Sequence, residues 1–284
     1  MMKAEVVWKA KAQLGEGPFW DEDKEELLWV DIDGCKLNTY SPASEENTQL
    51  SFGQKVTAVV KRKKGGLLLA MTDGIYTFEA DRLEKVASPE KTVPYHRFND
   101  GKCDPAGRFW AGTMVTEGQT KDAALYRVDT DLTCEKVLGD IQISNGLAWD
   151  VSHQRMYYID TKTQQVVSYD YNLETGEITN KDVVYTFPET DGHPDGMTID
   201  EDGMLWVAMY NGWQVIQINP LTKEKLAAIE VGAKCVTSCA FGGEDYQTLF
   251  ITSASSGDEA DPLGGSLFAV KTNSKGFKPD EFKG

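Results

Sequence analysis

The stretch that decides the fold is residues 16–33, EGPFWDEDKEELLWVDID, because versions of it recur along the whole chain. Here an acidic turn beginning at Asp21 leads into the apolar run LLWVDI. Five further turns each lead into a similar apolar run, and they begin at Arg62 (KKGGLLLAMTD), Asp104 (PAGRFWAGTM), Asp150 (VSHQRMYYIDT), Asp200 (EDGMLWVAMY) and Gly243 (GEDYQTLFITSA). The intervals are 41, 42, 46, 50 and 43 residues, so the repeat is irregular in length but continues through the chain.

A second alternating run follows the first in most units, after turn-forming residues. These runs are KLNTYS, GIYTFE, ALYRVD, VVSYDY, QVIQIN and SLFAVK. Each unit therefore predicts three strands joined by turns, with a weaker fourth strand before the next unit. Six repeats of about 40 to 50 residues, each a small antiparallel sheet, indicate an all-β fold, a six-bladed β-propeller.

The chain ends predict how the ring closes. The sixth unit is followed only by the polar tail TNSKGFKPDEFKG, so it lacks an outer strand, whereas AEVVWKA at the other end has no local partner. We expect this N-terminal strand to complete the last blade from the outside, which leaves no gap between first and last blades. Residues 1–284 are then expected to form a single domain.

Composition narrows the classes of partner. A net charge of −16 disfavours nucleic acid, whose phosphates the protein would repel, and suits a protein that collects cations. The longest apolar run, LLLAM, is far short of a membrane span, and the first residues lack the apolar core of a signal peptide. Five cysteines without a CxxC pair indicate reduced, mostly buried thiols. These features predict a cytoplasmic protein without membrane contact, monomeric or weakly homo-oligomeric.

Six polar residues share one position in the repeat, five residues before each turn. They are Glu16, Thr57, Asn99, Asn145, Asp195 and Ser238. The strand that opens each propeller blade lines the central channel, so we expect these side chains to form a ring around the axis. Glycine follows directly in three units, where it permits close backbone approach or unusual dihedral angles.

Within this ring, Glu16, Asn145 and Asp195 offer two carboxylates and an amide oxygen to one point. Hard oxygen ligands of this kind suit Ca²⁺, Mg²⁺ or Mn²⁺, and Zn²⁺ less characteristically. Without a cation the two carboxylates would repel each other, and one would tend to take up a proton. The alternative is that the ring only binds water and neighbouring backbone in a wet channel.

Other catalytic arrangements find little support. His96, His153 and His193 lie too far apart for a paired zinc motif and none occupies a ring position, although His193 is close enough to Asp195 to be an auxiliary base. There is no GxSxG motif, and no cysteine has a histidine at a recognisable spacing. A hydrolase with a covalent nucleophile is therefore not expected.

Longer motifs resemble a known family. The segments LGEGPFW, RFNDGKCDPAGRFWAGTM, ISNGLAWD, YYID, PDGMTIDEDGMLWVAMYNG and TSCAFGG occur in this order between about Leu14 and Gly243. They are similar to regucalcin (senescence marker protein), gluconolactonase and luciferin-regenerating enzyme. The resemblance implies a six-bladed propeller with one divalent cation in the channel and hydrolysis of sugar lactones.

The resemblance also implies roles for individual residues. Glu16, Asn145 and Asp195 correspond to metal ligands, and Arg97, Asn99 and Glu117 to residues that contact the substrate. The alternatives are a surface ion pair for Arg97 and a solvated loop for Glu117.

Three departures from the family pattern concern the pocket and not the metal ligands. The segment TEGQTKDAALY is shorter than the lid loop of the vertebrate members, His96 replaces a small or amide residue, and Trp213 replaces a glycine.

Lactone hydrolysis needs a polarised carbonyl and an activated water, and a divalent cation can supply both. Asp195 is the candidate general base, while Arg97, Asn99 and Glu117 would hold the sugar hydroxyls. A sugar lactone is thus the expected small-molecule partner, and one divalent cation (Ca²⁺, Zn²⁺, Mg²⁺ or Mn²⁺) the expected cofactor. Three alternatives remain: a calcium-binding regulatory protein with little turnover, an organophosphate esterase with a similar centre, and an interaction scaffold.

Overall fold

Twenty-five strands form the fold in a computed structural model that describes residues 2–284. Two short 3₁₀ turns, Thr161–Thr163 and Glu189–Asp191, are the helical elements of this part of the chain. The innermost strands of six sheets are β3 (Gly15–Asp21), β7 (Val56–Lys61), β11 (His96–Cys103), β15 (Ser144–Asp150), β19 (His193–Ile199) and β23 (Cys235–Gly242). The second strands are β4 (Glu26–Asp31), β8 (Leu67–Met71), β12 (Phe109–Val115), β16 (Arg155–Asp160), β20 (Leu205–Tyr210) and β24 (Thr248–Ala254). The third strands are β5 (Lys36–Ser41), β9 (Gly74–Glu79), β13 (Ala123–Val128), β17 (Gln165–Tyr171), β21 (Gln214–Asn219) and β25 (Leu267–Lys271).

The outer strands complete the blades and close the ring. They are β6 (Glu46–Ser51), β10 (Arg82–Ala87), β14 (Cys134–Ile141), β18 (Ile178–Thr186), β22 (Glu224–Glu230) and, in the last blade, β2 (Glu5–Trp8). Consecutive inner strands contact one another, and β23 contacts β3. The predicted six-bladed propeller, with the N-terminal strand at the outside of blade six, is confirmed. A further strand, β1 (Met2–Lys3), pairs in parallel with β22, so the N-terminus also ties blade six to blade five.

In two blades the aspartate of the repeat binds both the turn and a buried tryptophan. In blade three Asp104 accepts the backbone N–H of Arg108 at 2.9 Å and the indole N–H of Trp110 at 2.9 Å. Blade five repeats this arrangement, since Asp200 accepts the indole N–H of Trp206 at 2.9 Å. Both tryptophans are fully buried, so a buried indole would otherwise lack a hydrogen-bond partner. The carboxylate thus holds the backbone of the turn and also satisfies the indole of a tryptophan in the core.

Every inner strand bulges at the ring position. The register between inner and second strands shifts between Glu16 and Phe19, between Asn145 and Leu147, and at the matching place in the other four blades. A bulge leaves an extra residue unpaired and redirects its side chain. The common five-residue offset from the turn therefore reflects one backbone irregularity repeated six times, and it turns polar side chains into the channel.

The C-terminal tail lies across the face of the propeller where the inner strands end. Gly276 donates its N–H to Tyr246 at 2.9 Å, Phe282 donates to Lys61 at 2.9 Å, and Lys283 donates to Gly107 at 3.0 Å. Phe282 is fully buried although its neighbours in the sequence are polar. The tail therefore joins blades six, two and three on that face.

Candidate active site

The predicted metal ligands lie near the beginnings of three inner strands. Glu16, Asn145 and Asp195 belong to β3, β15 and β19, and their exposed fractions are 6%, 3% and 7%. Two glycines permit this geometry. Gly17 has φ of +53°, which glycine adopts without strain, and a Cβ on Gly196 would lie 2.8 Å from the Cα of Ser238 on the next inner strand.

Hydrogen bonds hold the side-chain amide of Asn145 from two sides. Its Nδ2 donates to Thr161 Oγ1 at 2.8 Å, and Thr161 in turn donates to the carbonyl of Pro194 at 2.8 Å. Its Oδ1 accepts from Asn99 Nδ2 at 3.1 Å. The amide is therefore fixed in orientation, with one lone pair of Oδ1 left free, as expected of a ligand oriented by its surroundings.

The two residues expected to bind substrate differ in how many donors they have left. Asn99 uses both amide hydrogens within the protein, on Asn145 and on the carbonyl of Ser144 at 2.8 Å. The buried Arg97 uses only Nη1, which donates to Asn99 Oδ1 and to the carbonyl of Phe98, both at 2.8 Å. Within residues 2–284 the remaining guanidinium donors have no protein acceptor. Arg97 can thus bind a ligand directly, whereas Asn99 mainly positions its neighbours.

Burial and like charges shift the pKa values of the carboxyl groups. Burial, reinforced by the charge of Asp100, raises the pKa of Glu16 to about 8, although Arg97 opposes the rise. The pKa of Asp195 is raised well above its ordinary value by burial first and then by the charges of Glu16 and Asp100. Asp100 itself is buried and accepts the N–H of Gly101 at 2.7 Å. Lys102 lowers the pKa of Asp100, so Arg97 and Lys102 are two positive charges beside three buried carboxyl groups, and a cation would relieve the remaining repulsion.

The donor set fits a divalent cation only if an amide takes part. Within residues 2–284 no three histidine, cysteine or acidic side chains are close enough to hold a metal ion by themselves. The oxygen of Asn145 would have to join Glu16 and Asp195, which gives a hard, all-oxygen set of the kind that Ca²⁺ and Mg²⁺ accept.

Glu117 lies at the same end of blade three but apart from the ring. It is exposed, in the loop that follows β12, and it has no hydrogen-bond partner in the described part of the chain. Its loop begins where His96 pairs with Val115, at the end of the sheet that carries Arg97. The structure thus brings Arg97, Asn99 and Asn145 into direct contact and leaves Glu117 on an open loop.

Two residues near Asp195 were not among the sequence candidates. Burial, a hydrogen bond with Cys235 and the charge of Asp195 raise the pKa of Tyr210 to about 12. Cys235 is buried and donates to Asn211 Oδ1 at 3.3 Å. Only the tertiary fold brings them to this site, because they lie at the end of a second strand and the start of an inner strand.

A large cavity lies at the other end of the channel. It encloses about 760 Å³ between the C-terminal ends of the inner strands and the C-terminal tail, with Phe19, Trp149, Phe241 and Phe277 among its lining residues. None of the six ring residues lines it. The acidic site therefore belongs to the opposite mouth.

Fold and site together define a six-bladed propeller with an acidic oxygen cluster at one mouth of its channel. The chain belongs to the SMP-30/Gluconolactonase/LRE-like family, whose pattern matches residues 14–255. The resemblance predicted from the sequence motifs is thus confirmed.

The chain is similar over its whole length to proteins of this family. It is 43% identical over 290 residues, 100% of this chain and 99% of the other, to YvrE of Bacillus subtilis, provisionally named a sugar lactone lactonase. It is 38% identical over 294 residues to regucalcin of Danio rerio, with 100% and 99% coverage. The solved structure of a calcium-binding regucalcin from Agrobacterium tumefaciens superposes with a TM-score of 0.94 at 26% identity, covering 99% of this chain and 98% of that one. No helix within residues 2–284 is long and apolar enough to cross a membrane.

Proposed function

We propose that the protein is a divalent-metal-dependent hydrolase of sugar lactones. The observation that carries the proposal is the buried cluster of Glu16, Asn145 and Asp195 at one mouth of the channel, beside an arginine with unused donors. Family membership and the lactonase name of the Bacillus subtilis relative support this choice among hydrolases.

The residues of the site divide the chemistry between them. Glu16, Asn145 and Asp195 would hold the cation, which when bound polarises a carbonyl and lowers the pKa of water. Asp195 accepts the proton of the attacking water and returns it to the ring oxygen as the ester bond breaks, so that lactone and water give a hydroxy acid. Arg97 donates hydrogen bonds to hydroxyl or carboxylate groups of the substrate, and Asn99 keeps Arg97 and Asn145 in place. Glu117, on its exposed loop, would contact a hydroxyl farther from the reacting carbonyl.

A second function shares the same metal site. The regucalcin relatives and the calcium-binding regucalcin structure support Ca²⁺ binding, and a regulatory protein that binds Ca²⁺ with little turnover is the second candidate. The two functions differ in what the base does, since a calcium-binding protein needs ligands but no proton acceptor.

One pair of substitutions separates the two functions. Asp195→Asn keeps an oxygen ligand but removes the base, so we expect turnover to fall at least ~10²-fold. Arg97→Ala should keep the cation and reduce kcat/KM for a polyhydroxylated lactone more than for an unsubstituted lactone, because only the sugar offers hydroxyls to the guanidinium. Metal content is measured alongside the kinetics for both variants. Unchanged turnover of Asp195→Asn at full metal occupancy would exclude the base, and equal losses on both lactones would exclude the role of Arg97.

A further inference from the structure

A buried histidine lies between two carboxylates next to the proposed substrate site. His96 is 6% exposed and begins β11, directly before Arg97. Its Nδ1 lies 3.1 Å from Glu90 Oε2, and its Nε2 lies 3.2 Å from Asp122 Oδ1. A neutral imidazole has one donor and one acceptor nitrogen, so only the protonated ring can donate to both carboxylates.

The two carboxylates differ in what they are attached to. Glu90 is fixed to blade three, because its Oε1 accepts from Thr113 at 3.1 Å and from Tyr126 at 2.9 Å. Asp122 instead belongs to the exposed loop 116–122, which carries Glu117. Its own partners are Thr120 of the same loop, at 2.6 Å, and the Tyr95 hydroxyl, at 2.9 Å. Thr116, at the start of the loop, is held separately, because its N–H and its hydroxyl both donate to the carbonyl of Tyr95 at 2.8 Å. If one carboxylate loses its bond to His96, the part of the loop after Thr116 is therefore the side that moves.

The other titratable groups around His96 do not supply a competing charge. Tyr95 stacks edge-on against the imidazole, with ring centroids 4.8 Å apart, and Tyr126 reaches it through Glu90. The pKa values of both phenols are raised, that of Tyr95 by its hydrogen bond to Asp122 and that of Tyr126 by burial, so both stay neutral at physiological pH. Glu90 and Asp122 are therefore the charged groups that the imidazole faces.

The contact between His96 and Asp122 joins two segments that are distant in the sequence. The histidine before the RFND motif and the short loop after AGTM are separated by about twenty residues in the sequence. In the structure they are joined through Asp122.

We propose that His96 is a positioning residue for the lactone site, which when protonated fastens the loop 116–122 at the mouth of the channel. The proposal rests on the lactonase function proposed above. Only the protonated imidazole can donate to both carboxylates, so loss of its proton leaves one carboxylate without a donor. The loop and Glu117 then become more mobile, and sugar lactones bind less tightly, while the catalytic groups stay in place.

Two measurements test whether protonated His96 holds the loop 116–122 in place. The first is amide hydrogen exchange of residues 116–122, expressed as protection factors so that the intrinsic effect of pH is removed. In the wild-type protein we expect protection to be about three- to tenfold higher at the acidic end of a pH series than at its alkaline end, which corresponds to the loss of one hydrogen bond. The second is the pH dependence of KM for D-glucono-1,5-lactone, which should rise with pH by a similar factor beyond any change in kcat.

Three variants define the controls. His96→Gln should abolish the pH dependence of both loop protection and KM. Asp122→Asn should also flatten them, because an amide can donate to the neutral imidazole as well as accept from it. Because Asp122 is on the surface, this variant keeps the test valid if His96→Gln does not fold. His153→Gln, which removes a half-exposed histidine paired with Asp150 away from this loop, should behave as wild type.

The outcomes are distinct for the two levels of the proposal. Wild-type pH dependence in both His96→Gln and Asp122→Asn would overturn the proposed role of His96. A wild-type protein that hydrolyses no lactone with metal present would overturn the proposed function. The amide protection of the loop would then be the only test of whether His96 holds it.

Discussion

Replacing Glu16 by glutamine should stabilise the metal-free protein at high pH and destabilise the metal-loaded one. Raising the pKa of this buried carboxyl from 4.5 to about 8 means that the folded state holds the proton more tightly than the unfolded state. The free energy of unfolding then falls as pH rises from about 4.5 through about 8, by up to about 5 kcal/mol. Asp195 shares this repulsion, so the loss assigned to Glu16 alone is smaller. Glutamine has nearly the shape of glutamate but cannot ionise, so the free energy of unfolding of the variant does not fall in this way as the pH rises.

Thermal unfolding in a chelator and in excess calcium measures both effects. At about 2 °C per kcal/mol for a chain of this size, Glu16→Gln in chelator should melt about 5 to 10 °C above wild type near pH 8.5. Near pH 5 wild type and Glu16→Gln should have the same melting temperature in chelator. In excess calcium at high pH, wild type should melt at a higher temperature than Glu16→Gln, because a cation held by the folded state stabilises wild type more than the variant. If the variant melts below wild type at high pH in chelator, Glu16 is not a repelled buried acid and the reasoning fails.

Two further predictions concern the propeller itself. Removal of residues 1–10 should expose the edge of β25 and cause aggregation or a large loss of thermal stability, whereas a wild-type melting temperature would show that β2 is dispensable. Gly196→Ala should lower the free energy of unfolding by about 1–3 kcal/mol in denaturant titrations, because its Cβ would press on the backbone of Ser238. The control Gly53→Ala, with no atom within 4 Å of the added Cβ, should change little, and equal effects would contradict the close-approach explanation.

Much of the fold was predictable because its signals are local. The run KLNTYS became β5 (Lys36–Ser41) and GIYTFE became β9 (Gly74–Glu79), since alternation and flanking turn residues define a strand without distant contacts. The parallel pairing of β1 with β22 and the buried Phe282 could not be predicted in this way. Both depend on partners far away in the sequence, and the tail around Phe282 is otherwise polar.

The site was predictable to the extent that it follows the repeat. The shared offset of the six ring residues reflects the bulge of all inner strands, so spacing located the ring. Side-chain chemistry then selected Glu16, Asn145 and Asp195 within it. Thr161 lies outside any inner strand, and its bridge between Asn145 and Pro194 exists only in the folded protein. The contact of His96 with Asp122 has the same origin, because it joins a strand to a loop that the repeat does not describe.

Proton release from D-glucono-1,5-lactone, after chelation and with each divalent metal restored in turn, tests the central claim most directly. The account predicts that chelated protein gives only the spontaneous rate and that at least one of Ca²⁺, Zn²⁺, Mg²⁺ or Mn²⁺ restores turnover. It further predicts that Asp195→Asn, loaded with the same metal, remains at least ~10²-fold slower. Full activity after complete removal of metal, or no activity with any metal restored, would contradict a metal-dependent lactonase.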